Sequence, residues 1–324
     1  MERRKLQATG GSSLTITLPK SWTKQWKLKS KDEVTVNNAG YALIIKPISK
    51  AKREVSIKIS IDDMPNDWLL REMIGAYIGG ADKITLSSDR ITPSQNQTIR
   101  QAVQLLFGFE ILEETSTKIV ARTVLDDTMF PVSDSTIRTF MISRGMFEDA
   151  LKAAKAGDKD LADDIKLRDY EVNKLVHVVK RQFNEIVSGK IEGNLREVGY
   201  YRSVAGQLER IGDHAVKIAE LASAERTETV KLSSTFPVIQ GKLNHLLSDV
   251  EAMIKNLDKN LANKIIDRGT ELEQLIYSSR RMKQSYEGAI IEDSLDRLRS
   301  YLINIAEMTI DYKLSSMSSS ARAD

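Results

Sequence analysis

The chain has no cysteine, only three histidines (His177, His214 and His245) and only six prolines in 324 residues. Without cysteine there are no disulfides, no thiol chemistry and no thiolate metal sites, which fits a reducing compartment. With so few histidines, any metal site must rest on carboxylates, which favours hard or borderline cations. The ExxH pattern of di-iron helical bundles is missing, because Lys174, Ile211 and Lys242 stand three residues before the histidines. No P-loop, nucleophile elbow or zinc-protease motif occurs. These absences describe a non-enzyme, with no catalytic residues and no organic cofactor. The opening Met1-Glu2-Arg3-Arg4-Lys5 lacks the apolar core of a secretory signal. No apolar run approaches the roughly 18 residues of a membrane span. A soluble cytoplasmic protein, not inserted in a membrane, is expected.

What is present is enough for several cores. Hydrophobic residues make up 41% and charged residues 29% of the chain, and its length suggests two or three domains. Five prolines (Pro19, Pro47, Pro65, Pro93 and Pro131) lie in the first part and only Pro237 later. Long helices therefore belong after 131, because interior proline breaks a helix. The predicted fold is multi-domain and mainly α: a β-rich module over 1–50, a small α/β domain over 54–130, and two three-helix repeats over 135–224 and 235–314. A disordered serine-rich tail is expected over 315–324.

Within 1–50, Leu14 to Leu18 alternates like a half-buried strand, Pro19 opens a helix from Lys20 to Lys27, and Asn37-Asn38-Ala39-Gly40 joins two further strands as a hairpin. Over 54–127 the order strand (55–59), helix (67–76), strand (83–86), helix (93–107), strand (118–121) reads as βαβαβ. Gly79-Gly80 has no nucleotide fingerprint around it and reads as a helix stop. Six helices are expected at about 135–156, 159–188, 194–224, 235–256, 259–284 and 289–314.

Net charge is +3, but residues 1–31 carry eight basic side chains against the single acid Glu2. That excess suits a polyanionic partner such as DNA. The candidate contacts are Arg3, Arg4 and Lys5 before the first strand, Lys20 and Lys24 on the short helix, and Gln7, Ser12 and Ser13 facing base edges.

Two helical segments repeat. Leu208 to Glu220 aligns without gaps with Leu295 to Glu307, 87 residues later, and both end in Ile-Ala-Glu. In the first copy Glu209 and Asp213 are one turn apart on one helix face, with Gly212 beside them. Like charges so placed repel by roughly a few tenths of a kcal/mol, which suggests a cation between them. Asp169 and Asn173, also four apart on the preceding helix, are expected to face the pair across the bundle. An isolated pair of this spacing is otherwise met by a neighbouring basic residue. In the second copy Ser300 and Arg299 replace Asp213 and Gly212, leaving at most a weaker site from Asp296 and Glu273.

Glu209-Arg210-Ile211-Gly212-Asp213-His214-Ala215, followed by Ile218-Ala219-Glu220, resembles the hallmark of the PhoU family of phosphate-uptake regulators. The resemblance spans about 135–314 and has eroded in the second repeat. It implies two three-helix repeats and metal ligation by Glu209 and Asp213. Asp169 is implied too, although its neighbour Asn173 stands where the family has an acid. The implied metal is divalent or trivalent (iron, zinc, magnesium or manganese), and the implied partner is a phosphate transporter component or a sensor kinase. Residues 4–47, with Thr15-Ile16-Thr17-Leu18-Pro19-Lys20 and Lys31-Asp32-Glu33-Val34, are similar to the AbrB/SpoVT swapped-hairpin family. That likeness implies DNA binding and a homodimer through this module, with Ser30 standing for the usual glycine after the helix. The expected function is control of phosphate uptake, with DNA bound by the N-terminal module and metal by the helices. The alternative is a protein-binding modulator of a transporter or sensor kinase that does not bind DNA.

Overall fold

The computed structural model describes residues 2–38, 42–48, 54–124, 131–223, 230–280 and 285–320. The chain divides into two compact units, an N-terminal one ending before Glu54 and a larger one over Glu54–Ser318.

In the first unit β1 (Gln7–Thr9) pairs antiparallel with β2 (Ser13–Thr15). Helix α1 (Lys20–Gln25) follows, and β3 (Val34–Asn38) pairs antiparallel with β4 (Leu43–Pro47). The second hairpin is the expected one, although Ala39, Gly40 and Tyr41 lie outside the described residues. The strand expected over 14–18 is instead the short second arm of a hairpin whose first arm is too brief to show alternation. Helix α1 stops before Lys27, which sits at φ 52, and Lys31 sits at φ 76. The left-handed positions that favour glycine are therefore 27 and 31, not Ser30. No residue of α1 is buried, and Leu6, Leu14, Ile16, Val36 and Leu43 are all more than half exposed.

The larger unit begins with β5 (Ser56–Ser60), α2 (Asn66–Ile78), β6 (Lys83–Ser87), α3 (Pro93–Leu105), β7 (Phe109–Glu114) and β8 (Lys118–Thr123). The sheet order is β5-β6-β8-β7, with β5 parallel to β6 and the other pairs antiparallel. The βαβαβ expectation is corrected to βαβαββ. Strand β7 carries no alternation signal, because Glu-Ile-Leu-Glu-Glu breaks period two and a bulge at Ile111/Glu113 breaks the register. Both helices cover one face, where Leu69, Met73, Tyr77 and Ile99 pack with Ile84, Leu86, Ile119 and Ala121. Gly79 and Gly80 (φ 88) end α2 as expected.

Six helices follow: α4 (Val132–Ala156), α5 (Lys159–Val187), α6 (Leu195–Ser223), α7 (Phe236–Asn256), α8 (Lys259–Ser279) and α9 (Tyr286–Ser320). They share one apolar core, centred on residues such as Phe140, Val172, Leu208, Ile211, Leu247 and Leu298. Helix α8 ends earlier than the 284 expected. Helix α9 runs past Leu314, so residues 315–320 are helical where a disordered tail was expected.

The two halves repeat in detail. Gly157 and Leu257, both left-handed, terminate α4 and α7, and Asp158 and Asp258 cap α5 and α8 through the amides of Leu161 and Leu261. Asp149–Arg168 and Asp249–Arg268 tie the first two helices of each half. Each pair stands 100 residues apart, whereas α6 and α9 match at 87. The first repeat is thus longer by 13 residues, largely in the last two turns of α5. Those turns hold the α/β domain. Arg181, with 1% of its side chain exposed, donates to the carbonyls of Tyr77 (2.9 Å) and Ala81 (2.6 Å) and pairs with Glu185 (3.0 Å) and Asp82 (3.3 Å). Asn184 donates to the Ile78 carbonyl (2.8 Å), and Lys190 to the Gly80 carbonyl (3.0 Å). The carbonyls at and just beyond the C-terminal end of α2 are thus met by a cation and an amide from α5 and by Lys190 just after it.

Candidate metal centre and nucleic-acid interface

The four predicted metal residues come together on the seam between α5 and α6. Asp169 and Asn173 lie one turn apart on α5, and Asn173 Nδ2 donates to Asp169 Oδ2 at 2.9 Å. Across the seam, a β-carbon placed on Gly212 would stand 3.3 Å from Asp169 Oδ1. Glycine at 212 is what lets this carboxylate approach α6. Oδ1 is buried and has no hydrogen-bond partner, and such an atom calls for an explanation. Burial, the negative charge of Asp213, and that of Glu209 push the Asp169 carboxyl up to about 6, against the stabilising amide of Asn173. Partial burial and Glu209 also raise the Asp213 carboxyl. Glu209 is held by Lys180 of α5, Nζ to Oε2 2.8 Å. The neighbouring-base alternative therefore applies to Glu209, while among the described residues Asp169 has no ion pair and Asp213 feels Arg210 and Lys180 only through their charge.

The carboxylate chemistry suits a hard cation, and Asp169 Oδ1 is a donor atom with nothing to bind. Among the described residues, however, no three His, Asp or Glu side chains converge closely enough to hold an ion as they stand. His177 and His214 make other contacts. His177 lies buried 3.5 Å from the Leu105 carbonyl, and His214 is shared between Ser294 (3.2 Å) and Tyr301 (3.4 Å) at the seam of the two repeats. Burial lowers the pKa of both.

The second repeat answers the same positions differently. Asp296 is the counterpart of Glu209, and Arg280, the counterpart of Lys180, reaches it at 3.2 Å. Gly269 stands where the first repeat has Asp169, Glu273 where it has Asn173, and Arg299 where it has Gly212. Arg299, 7% exposed in its side chain, puts Nε 2.8 Å from Asp296 and Nη2 3.2 Å from Glu273. The expectation of a weaker metal site from Asp296 and Glu273 is corrected, because a guanidinium already lies between them. The sequence reading missed Lys180, Arg280 and Arg299. Their signal lies in the 100-residue offset of α5 and α8, which the 87-residue motif alignment hides.

In the N-terminal unit, Arg3, Arg4 and Lys5 precede β1, Gln7 lies in β1, and Ser12 and Ser13 lie at the start of β2. Lys20 and Lys24 are one turn apart on α1. All eight are exposed, and Arg4 is paired with Glu2.

Residues 137–222 match the PhoU domain model. Residues 7–53 match the model described as antidote-toxin recognition MazE, bacterial antitoxin. The chain is similar to the crystal structure of PhoU from Pseudomonas aeruginosa, at 17% identity and TM-score 0.49, covering 57% of this chain and 96% of that one. It is also similar to the phosphate transport system regulatory protein PhoU from Streptococcus pneumoniae, at 19% identity and TM-score 0.50, covering 56% and 93%. At that identity the second likeness is one of fold. No curated protein matches the chain.

Proposed function

We propose that this chain, whose helical half carries a PhoU domain and whose N-terminus carries a MazE/AbrB-like module, is a non-enzymatic cytoplasmic regulator of phosphate uptake. On this reading the first repeat takes up a divalent or trivalent metal ion (iron, zinc, magnesium or manganese), and the N-terminal module dimerises and binds DNA. A phosphate transporter component or a sensor kinase is the protein partner. The observation that carries the metal reading is one of charge. Around the first seam three interacting carboxylates (Asp169, Glu209 and Asp213) face the single ammonium of Lys180. Around the second, Asp296 and Glu273 face two guanidinium groups, Arg280 and Arg299. Arg210 and Arg297 occupy equivalent positions and cancel in the comparison. Asp293, which Arg280 also reaches, is met in addition by Lys217 at 3.8 Å. Set against the second seam, the first is short of about two positive charges, which a divalent ion would supply. Asp169, Asp213 and Glu209 are the residues that would hold it, and its contribution is to neutralise them.

The regulatory role is supported by the PhoU domain and by the phosphate transport system regulatory protein of similar fold. Dimerisation is supported by the exposed Leu14, Ile16, Val36 and Leu43, because two isolated hairpins and a six-residue helix bury too little apolar surface to stand alone. The basic excess near the N-terminus supports DNA. Doubled in a dimer, it would meet about 6 phosphates, giving a slope of log K against log salt of roughly −5. The second reading, a protein ligand on this module, is favoured by the toxin-recognition description of the matched family. A duplex titration at two salt concentrations separates them. Replacing Arg3, Arg4 and Lys5 by alanine should weaken binding to every duplex and flatten the salt slope. A folded dimer that binds no duplex at low salt gives the module to a protein partner.

A further inference from the structure

Arg299 and Gly269 form a reciprocal exchange with Gly212 and Asp169. In the first repeat the third helix gives up its side chain at 212 and the second helix supplies a carboxylate. In the second repeat the second helix gives up its side chain at 269, and the third supplies a guanidinium. The space is not interchangeable. A β-carbon on Gly269 would meet Ile303 Cδ1 at 2.7 Å and Cγ1 at 2.8 Å, and would lie 4.0 Å from Arg299 Cγ. An aspartate there is excluded by the packing that accommodates the Arg299 stem. The guanidinium is not a loose surface pair. It is nearly buried, and its planar fork divides between Asp296 on its own helix and Glu273 on α8. Asp296 thereby receives two cations, Arg280 and Arg299.

We infer that Arg299 is a tethered cation, a guanidinium that stands in the second repeat in place of a metal ion. The inference rests on the reading of the first repeat as a cation site and adds that only that repeat has an exchangeable one. The second half of the helical domain is then electrically complete without metal, and metal supply can alter the first half alone. Because α5 bears both Asp169 and the Arg181 and Asn184 contacts to the α/β domain, the half that responds to metal is the half to which that domain is attached.

The test uses the full-length protein with Asp213→Asn, which disables the first seam, and adds Arg299→Ser or Arg299→Lys. In metal-free buffer R299S should melt about 5 °C below its D213N parent. Millimolar Mn2+ should restore at least half of that loss, while leaving the D213N parent unmoved. R299K, which keeps a charge but not the fork, should lose less and gain nothing from Mn2+. An R299S loss that Mn2+ leaves in place, or no loss at all, overturns the inference. If R299S does not fold, R299K decides: a melting temperature equal to the parent's, or one raised by Mn2+, overturns it. The metal content of the wild type is a separate reading. An empty wild type with a rescued R299S would refute the first site and keep this one, and a loaded wild type with an unrescued R299S would do the reverse.

Discussion

The two helical repeats share caps, turns and ion pairs, yet the seam of the first is short of positive charge beside that of the second. Asp158 and Asp258 start their helices the same way, and Asp149–Arg168 and Asp249–Arg268 brace them the same way. Structure-bearing features have persisted in both halves, and the differences gather at two places. One is the seam, where Gly212 and Asp169 face each other in the first half and Arg299 and Gly269 in the second. The other is the C-terminal end of α5, whose two additional turns carry the α/β domain and have no counterpart in α8. Divergence confined to a cation position and a docking segment is more readily explained by function than by stability.

The largest effect should come from the docking segment. Arg181→Met leaves Glu185 and Asp82 to Lys190 in a buried interface and removes the guanidinium donor from the Tyr77 and Ala81 carbonyls. A loss of about 3–5 kcal/mol in urea unfolding is expected. Arg280→Met in the second repeat, where the arginine is 39% exposed, should cost less than about 1 kcal/mol. Equal costs would remove the asymmetry.

Next come the two glycines. Gly269→Ala drives a β-carbon into Ile303 and should cost about 1–3 kcal/mol. Gly212→Ala meets only the tip of Asp169 and neighbouring methyl groups, and should cost under about 1 kcal/mol while displacing that carboxylate.

The pH response of the metal-free protein gives a smaller effect of definite sign. Asp169 titrates near 6 when folded, above its ordinary 3.8, so the folded state binds the proton more tightly. Its stabilising contribution is complete below about pH 4 and is lost as pH rises through 6. Asp169→Asn should abolish that dependence and raise metal-free stability at pH 7 by about 1 kcal/mol, allowing for partial exposure. A fall in stability with this substitution would show that the carboxylate is already satisfied.

The smallest effect is at the ends of α4 and α7. Gly157→Ala, at φ 68, should cost about 1 kcal/mol. Leu257→Gly, at φ 50, should stay within about 0.5 kcal/mol of wild type, because relief of strain is offset by lost contact with the core.

Much of this was legible in the sequence. The proline-free stretches after Pro131 and their helical patterning located the six helices closely, and the 87-residue repeat located the motif. Legibility failed wherever pairing crossed elements whose spacing differs. Asp169 has its counterpart at Gly269, which only the 100-residue offset reveals, and that offset depends on where α5 and α8 begin. Nothing in the sequence separates Arg181 from the other cations of α5, because its burial depends on where α2 ends in space. Strand β7 lacks alternation because of its bulge, and β1 is three residues long. Lys27 and Lys31 hold left-handed conformations that composition assigns to glycine, which misplaced that position at Ser30. The exposed N-terminal basic residues lie where the sequence put them, because exposure of charge needs no tertiary information.

The account is tested most directly by divalent-ion titration of metal-free protein, reading bound ion per chain for three forms. These are the wild type, Asp169→Asn with Asp213→Asn, and Glu273→Gln with Asp296→Asn. The wild type and the second-repeat variant should bind alike, and the first-repeat variant should bind nothing at the same ion concentration. Binding that survives loss of Asp169 and Asp213, or that vanishes with Glu273 and Asp296, would contradict the assignment of an exchangeable cation to the first repeat and a built-in one to the second.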